Sequence, residues 1–292
     1  MEGHMKKSKL TVLLLTLALM LVFSGCRHDP DPEVTTPNMG EVNNSTIGSH
    51  KNMQYQYLTN VDEALLATNL DERYLLLANK TNPLGSSYEP SGLVELGCAV
   101  LESSRIYELE ARAAGALAVM LAEMQAAGVS DVMVASAYRS YSYQVATYNR
   151  YVEFEQSCIS ADAYRTFGES YIKTNYLEKG IYRLDLADAH VVVQSYSALP
   201  GQSEHQTGLC VDLTTSETGA ELTEAFENTA AFAWLSENAY KFGFILRYPK
   251  GMEGITGYTY EPWHYRFVGR EAATDIYIGE MTLEQYLQLT AE

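Results

Sequence analysis

The sequence predicts an α+β protein, with one folded domain over residues 55–292 in which helices flank a small antiparallel sheet. Three observations predict it. Helical apolar spacing is concentrated early in that span, and short β-prone runs cluster around two polar motifs later on. The two kinds of segment also do not alternate as a parallel βαβ sheet would require.

Taken in order, Met5-Lys6-Lys7-Ser8-Lys9 is a basic lead, and Leu10 to Phe23 is an apolar run too short for a spanning helix. Ser24-Gly25-Cys26 follows, small residues immediately before a Cys. This pattern resembles a bacterial lipoprotein signal over residues 1–25, with Cys26 as the lipidated residue; a plain secretory signal or an uncleaved anchor is the alternative. On either account the domain is exported to an extracytoplasmic location, and the lipid would hold it at the bacterial cell membrane. Residues 26–54 contain Asp-Pro-Asp-Pro, Thr-Thr-Pro-Asn and Asn-Asn-Ser-Thr, with no apolar periodicity. They read as a tether, of which the roughly 24 residues from Arg27 to about His50, if unfolded, would span about 25–30 Å.

In the domain, Arg73-Tyr74-Leu75-Leu76-Leu77-Ala78-Asn79 predicts a buried strand stopped by the Asn82-Pro83-Leu84-Gly85 turn. Residues 101–127 predict the longest helix, with apolar positions at Ile106, Leu109, Ala113, Leu117, Met120, Leu121 and Met124 and Gly128 at its end. Val132 to Ser136 predicts a core strand that delivers Tyr138 and Arg139 to its end. Residues 142–179 are mainly helical and rich in Tyr, more simply read as amphipathic packing than as an aromatic wall for glycans. His190, in Ala-His-Val-Val-Val, reads as a strand residue and not as a metal ligand. Thr229 to Lys241 predicts a helix, and Phe244 to Tyr248 a returning strand.

The chain carries a formal net charge of −17. Residues 1–25 hold Lys6, Lys7, Lys9 and Glu2, a net +2, so their removal leaves about −19. Such a chain is a poor partner for nucleic acid or anionic lipid heads, and its membrane contact is expected through the lipid alone. With Cys26 lipidated, Cys98, Cys158 and Cys210 remain, an odd number without a C-x-x-C pair. A disulfide framework is not expected in a domain of this size, although one bridge among the three stays open.

Of six His, only His190, His205 and His264 fall in the domain. His205 and Asp212 lie in Leu199-Pro-Gly-Gln-Ser-Glu-His-Gln-Thr-Gly-Leu-Cys-Val-Asp-Leu213, and Glu261 and His264 in Tyr260-Glu-Pro-Trp-His-Tyr265. Taken singly, each has a plainer account: a surface His in a turn, or an Asp ending an edge strand. Taken together, two imidazoles and a carboxylate suit a three-donor zinc site with an open fourth position. A second carboxylate, Glu261, is then placed to take a proton from water. A turn at Gln206-Thr207-Gly208 can fold Asp212 back beside His205. Glu261 and His264 are three apart and would point to opposite faces of a flat strand, so a bulge or kink at Pro262 is expected.

Ser203-Glu204-His205-Gln206-Thr207-Gly208-Leu209-Cys210-Val211-Asp212 resembles the S-x-H-x-x-G-x-x-x-D motif of VanY-type D-alanyl-D-alanine carboxypeptidases, and Glu261-Pro262-Trp263-His264 resembles their E-x-W-H motif. Ser136-Ala137-Tyr138-Arg139-Ser140, with Gln144, is similar to their upstream S-x-Y-R-S segment. The likeness runs from about Tyr74 to the C-terminal tail, and three ordered motifs make it specific. Cys210 departs from it, standing where a small residue such as Ala is more usual. The resemblance implies a zinc carboxypeptidase with one Zn2+ held by His205, Asp212 and His264, Glu261 as the proton-transferring base, and Arg139, Gln144 and Ser203 lining the substrate pocket. It implies Arg139 as oxyanion stabiliser or as clamp on the substrate's terminal carboxylate. The implied partner is the peptidoglycan stem peptide, cut at a C-terminal D-alanine. Whether the bond is D,D in a pentapeptide or L,D in a tetrapeptide stays open, and a peptidoglycan-binding lipoprotein that does not cleave is the rival from another class.

Overall fold

The computed structural model describes residues 44–67 and 71–291. The expected signal, Cys26 and most of the tether lie outside them. The last part of the expected tether is seated on the domain: the Gly48 and His50 amides donate to the Asp275 carboxylate at 2.8 and 3.0 Å.

In chain order the elements are β1 (Leu93–Glu95), β2 (Glu108–Glu110), α1 (Ala111–Ala126), β3 (Met133–Ser136), α2 (Tyr141–Ser157), α3 (Ala161–Phe167), α4 (Glu169–Asn175), α5 (Leu186–Tyr196), β4 (Cys210–Thr214), α6 (Ala230–Asn238), β5 (Phe244–Leu246), α7 (Glu253–Thr256), β6 (His264–Phe267), α8 (Arg270–Ile278) and α9 (Leu283–Thr290). β1 and β2 form a hairpin, and the other four strands form an antiparallel sheet in the order β3-β4-β6-β5. The expected α+β class with a small antiparallel sheet is what the structure has.

Strand alternation divides the chemistry between the two faces of this sheet. Val211, Leu213, Tyr265 and Phe267 turn toward α1, where Leu117, Met120 and Met124 complete the main core. Cys210, Asp212, His264 and Arg266 are on the other face, with Cys210 opposite Arg266 and Asp212 opposite His264. That face is also buried, so every strand residue of β4 and β6 is out of solvent. Helices α2–α5 build a second core of their own around Tyr148, Val152, Ile172, Tyr176, Leu184, Val192 and Val193.

Three expected elements differ. Residues 73–79 form no strand; Asp71 caps a short 3-10 turn over Glu72–Leu75, and the chain then runs extended without a strand partner. The backbone there is served by a side chain, as Arg266 Nη2 donates to the carbonyls of Tyr74 (3.0 Å) and Leu76 (2.7 Å). The long helix starts at Ala111, not near Leu101, because Glu108–Glu110 pairs as a strand and the Glu110 side chain accepts from the Arg112 and Ala113 amides as the N-cap. Ile106 is consequently exposed. His190 lies in a helix, α5, started by Asp185 capping the Asp188 amide; its Nδ1 meets the Tyr148 hydroxyl at 2.9 Å, within the second core. Cys98, Cys158 and Cys210 are all free thiols.

Candidate active site

The first motif opens as a 3-10 turn over Glu204–Thr207, which Gly208 ends at φ 68°. A side chain there would be strained by that φ and would also press on Leu93 and Pro90, its Cβ meeting them at 3.0 and 3.1 Å. The turn sends the chain straight into β4, so His205 Nε2 comes to 3.1 Å from Asp212 Oδ2. On the neighbouring strand His264 Nδ1 lies 2.9 Å from Asp212 Oδ1, and the two imidazoles meet nearly perpendicular with centroids 5.0 Å apart. Glu261 is reached differently from the expected bulge. It precedes β6 in a turn through Pro262 and Trp263, in which the His264 amide donates to the Glu261 carbonyl at 3.1 Å. The turn leaves the Glu261 carboxylate 3.6 Å from His264 Nδ1.

Arg139, just past β3, is tied in by its amide donating to the His205 carbonyl (3.1 Å), while Nη2 donates to Ser203 Oγ at 3.3 Å. A cavity of roughly 350 Å3 is lined by Arg139, Ser203, His205, Asp212, Glu261 and His264, with Tyr151, Tyr196 and Ala198 from the helical side and Tyr248, Tyr258 and Trp263 opposite. This is within the range of small-ligand pockets. Gln144 is one layer back: it is buried, and its Nε2 donates to the carbonyl of cavity-lining Ala198 at 2.8 Å.

Electrostatics sort these groups. Burial pushes the Glu261 carboxyl up to about 7, Asp212 adding to the shift and His264 opposing it. For Asp212 burial pulls upward too, yet the two imidazoles outweigh it and hold the carboxyl well below the usual range. His205 Nδ1 is committed to the Ala137 carbonyl at 2.7 Å. Nδ1 therefore carries the ring's hydrogen, and a neutral ring directs a bare Nε2 lone pair at a carboxylate oxygen. Two lone pairs face to face repel unless a proton or a metal ion lies between them. Donors about 2.0–2.1 Å from one tetrahedral zinc sit roughly 3.3 Å from each other, close to the spacings found here. The residues therefore fit a divalent metal. Cys210 offers a second grouping, its Sγ and one nitrogen from each of His205 and His264 lying within 4.8 Å of one another. It is fully buried and does not reach the cavity, whereas Asp212 does. A site that must admit substrate accordingly favours Asp212 as third donor. Burial raises the Cys210 thiol, but the imidazoles bring it down to about 7.

Sequence reasoning missed the layer underneath. Glu204 is fully buried, its Oε1 accepting from Arg247 Nε (2.8 Å) and Arg266 Nη1 (2.7 Å). Arg247 continues to Glu284 on α9 with bonds of 2.9 and 2.6 Å. Although burial pushes the Glu204 carboxyl up, the two guanidiniums hold it well below the usual carboxylate range. One signal was available: an Arg in each of two apolar strands, at Phe-Ile-Leu-Arg247 and His-Tyr-Arg266-Phe, calls for a buried anion to pair with.

An α+β scaffold whose sheet, with the turn leading into β4, presents two imidazoles and a carboxylate to an open cavity, beside a second carboxylate, defines a metal-dependent hydrolase. Comparison with known proteins makes the class specific. The family model VanY: D-alanyl-D-alanine carboxypeptidase matches residues 106–270, more than half of the 292-residue chain. YodJ of Bacillus subtilis (strain 168) is 34% identical over 248 residues, covering 84% of this chain and 78% of YodJ. Among solved structures, the LdcB LD-carboxypeptidase is similar with a TM-score of 0.58 and 35% identity, over 74% of this chain and 86% of that one. A mutant of the vancomycin-resistance D,D-pentapeptidase VanY from a VanB-type cassette, in complex with Zn(II), is similar with a TM-score of 0.54 and 32% identity, over 74% and 99%. The chain belongs to the VanY family of D-alanyl-D-alanine carboxypeptidases. It is thus an enzyme of the zinc-peptidase type, and the non-cleaving alternative is set aside.

Proposed function

We propose that the chain removes a C-terminal D-alanine from peptidoglycan stem peptides, acting as a D,D-carboxypeptidase with one Zn2+ held by His205, Asp212 and His264. The observation that carries this reading is the convergence of His205 Nε2 and His264 Nδ1 on Asp212, with Glu261 beside them at the cavity wall. A zinc ion held by these residues would supply Lewis acidity, to polarise the scissile carbonyl and to make a water acidic enough to lose a proton near neutral pH. Glu261 accepts that proton and hands it to the leaving amine. Burial raises its carboxyl above the usual carboxylate range, which makes it a better proton acceptor than an exposed carboxylate. Arg139 presents a planar fork of guanidinium donors at the cavity wall, fitting either the developing oxyanion or the substrate's terminal carboxylate. Ser203 steadies that fork from the same wall. Gln144 acts one step removed, by fixing the Ala198 carbonyl.

The second reading is an L,D-carboxypeptidase on tetrapeptide stems, favoured by the likeness to LdcB. Defined penta- and tetrapeptides decide between them. Mass spectrometry is expected to show D-alanine released faster from the pentapeptide, and release lost after a chelator and restored by zinc. Faster cleavage of the tetrapeptide selects the L,D reading; release from neither rejects both.

The location proposed is outside the cytoplasm, on a lipid carried by Cys26, which the basic lead, apolar run and Ser24-Gly25-Cys26 support. Two or more acyl chains on one Cys make such attachment durable. Cys26→Ala is expected to move the protein from the membrane fraction to the soluble one, and a variant still wholly membrane-bound would dismiss the lipid anchor.

A further inference from the structure

We infer that Glu204 is a positioning residue for the metal site, accepting a hydrogen bond from Nε2–H of His264 and so turning the ring's Nδ1 lone pair toward the ion. This rests on the metal assignment proposed above. Two atoms carry it. Glu204 Oε2 and His264 Nε2 are both buried and both lack a hydrogen-bond partner among the described residues, and they lie 3.7 Å apart. That is about 0.8–1.0 Å longer than a charge-assisted N–H···O bond, a gap that a small tilt of the ring closes. One unpartnered atom is a donor when Nε2 is protonated and the other is always an acceptor, so each supplies what the other lacks.

The tautomer follows. A neutral imidazole carries one hydrogen, and placing it on Nε2 leaves Nδ1 bare, the atom 2.9 Å from Asp212 Oδ1. His205 is set in the opposite sense, because the Ala137 carbonyl occupies its Nδ1 and Nε2 faces Asp212. The two ligand rings thus present different nitrogens, each fixed by an acceptor behind it. Glu204 is suited to hold its place because Oε1 is gripped by both Arg247 and Arg266. The set Glu204, Arg247, Arg266 and Glu284 is formally neutral, so a charged carboxylate stands behind His264 without a net buried charge.

Glu204→Gln tests this sharply. The two guanidiniums require an oxygen at the Oε1 position, so the amide would turn its NH2 toward His264 and oppose donor to donor. Zinc affinity, measured by chelator competition, is expected to fall about 10–100-fold, the usual size for losing such an outer partner. An unchanged affinity in a folded variant overturns the inference. Long-range 1H–15N spectra of the zinc-loaded wild-type chain need no substitution at Glu204: His264 is expected with zinc on Nδ1 and an exchange-protected hydrogen on Nε2. The same hydrogen is expected to persist in Cys210→Ala, and its loss there would assign the acceptor to the Cys210 thiol instead. Zinc on Nε2 of His264 also overturns the inference while leaving the metal site standing. A His264 ring that zinc does not shift rejects the ligand assignment and the inference together.

Discussion

Glu261→Ala is expected to leave the metal content of the enzyme unchanged and to lower its turnover by about 10²–10⁴-fold, the usual contribution of a positioned proton-transfer group. The separation of the two effects comes from the local backbone. Glu261 is held by main-chain bonds, its amide donating to Tyr248 and its carbonyl accepting from His264, so the turn that presents His264 survives loss of the side chain. The carboxylate lines the cavity; no Arg or Lys pairs with it among the described residues, and His264 Nδ1 lies 3.6 Å away. What the substitution removes is therefore a proton acceptor at the cavity wall. Rates of D-alanine release, with zinc measured on the same preparation, check it. A variant of full activity would take Glu261 out of the reaction.

His264→Ala is expected to do more, lowering both zinc and activity to background. Its ring supplies one of two nitrogens converging on Asp212, and it also packs on Tyr248 with centroids 4.8 Å apart. Removing it leaves His205 and Asp212, and two donors are too few for a closed hold on zinc. Metal analysis after dialysis reads the outcome directly. One zinc per chain in the purified variant would reject His264 as ligand.

Much of this was legible in the residues, for reasons that can be named. His205, Asp212, Glu261 and His264 could be picked out because His is scarce in the domain and because short polar motifs interrupt apolar strands. Gly208 marked the turn that folds His205 back toward Asp212. What escaped was whatever depends on distant partners. The run at 73–79 has every local mark of a strand, but its carbonyls bond the side chain of Arg266, some 190 residues on. The Val-rich stretch at 191–193 is β-prone by composition, yet the Asp185 cap and the helices around it make it helical. Of the early residues of the expected long helix, Glu108–Glu110 pair in a hairpin whose partner, Leu93–Glu95, is too short to stand out, and Ile106 lies before it. Glu204 was hidden by its own motif, where it read as a spacer between Ser203 and His205.

The separate packing of helices α2–α5 bears on how the enzyme meets its polymer. Tyr151 and Tyr196 belong to those helices, while Asp212 and His264 belong to the strands and His205 to the turn before β4, so the cleft lies between two separately packed cores. Fit is thereby divided, with Tyr151 and Tyr196 on the helical side and Arg139 and Ser203 beside the metal donors. The outer residues of α2–α5 can change without touching the contacts that set His205, Asp212 and His264, none of which involves those helices.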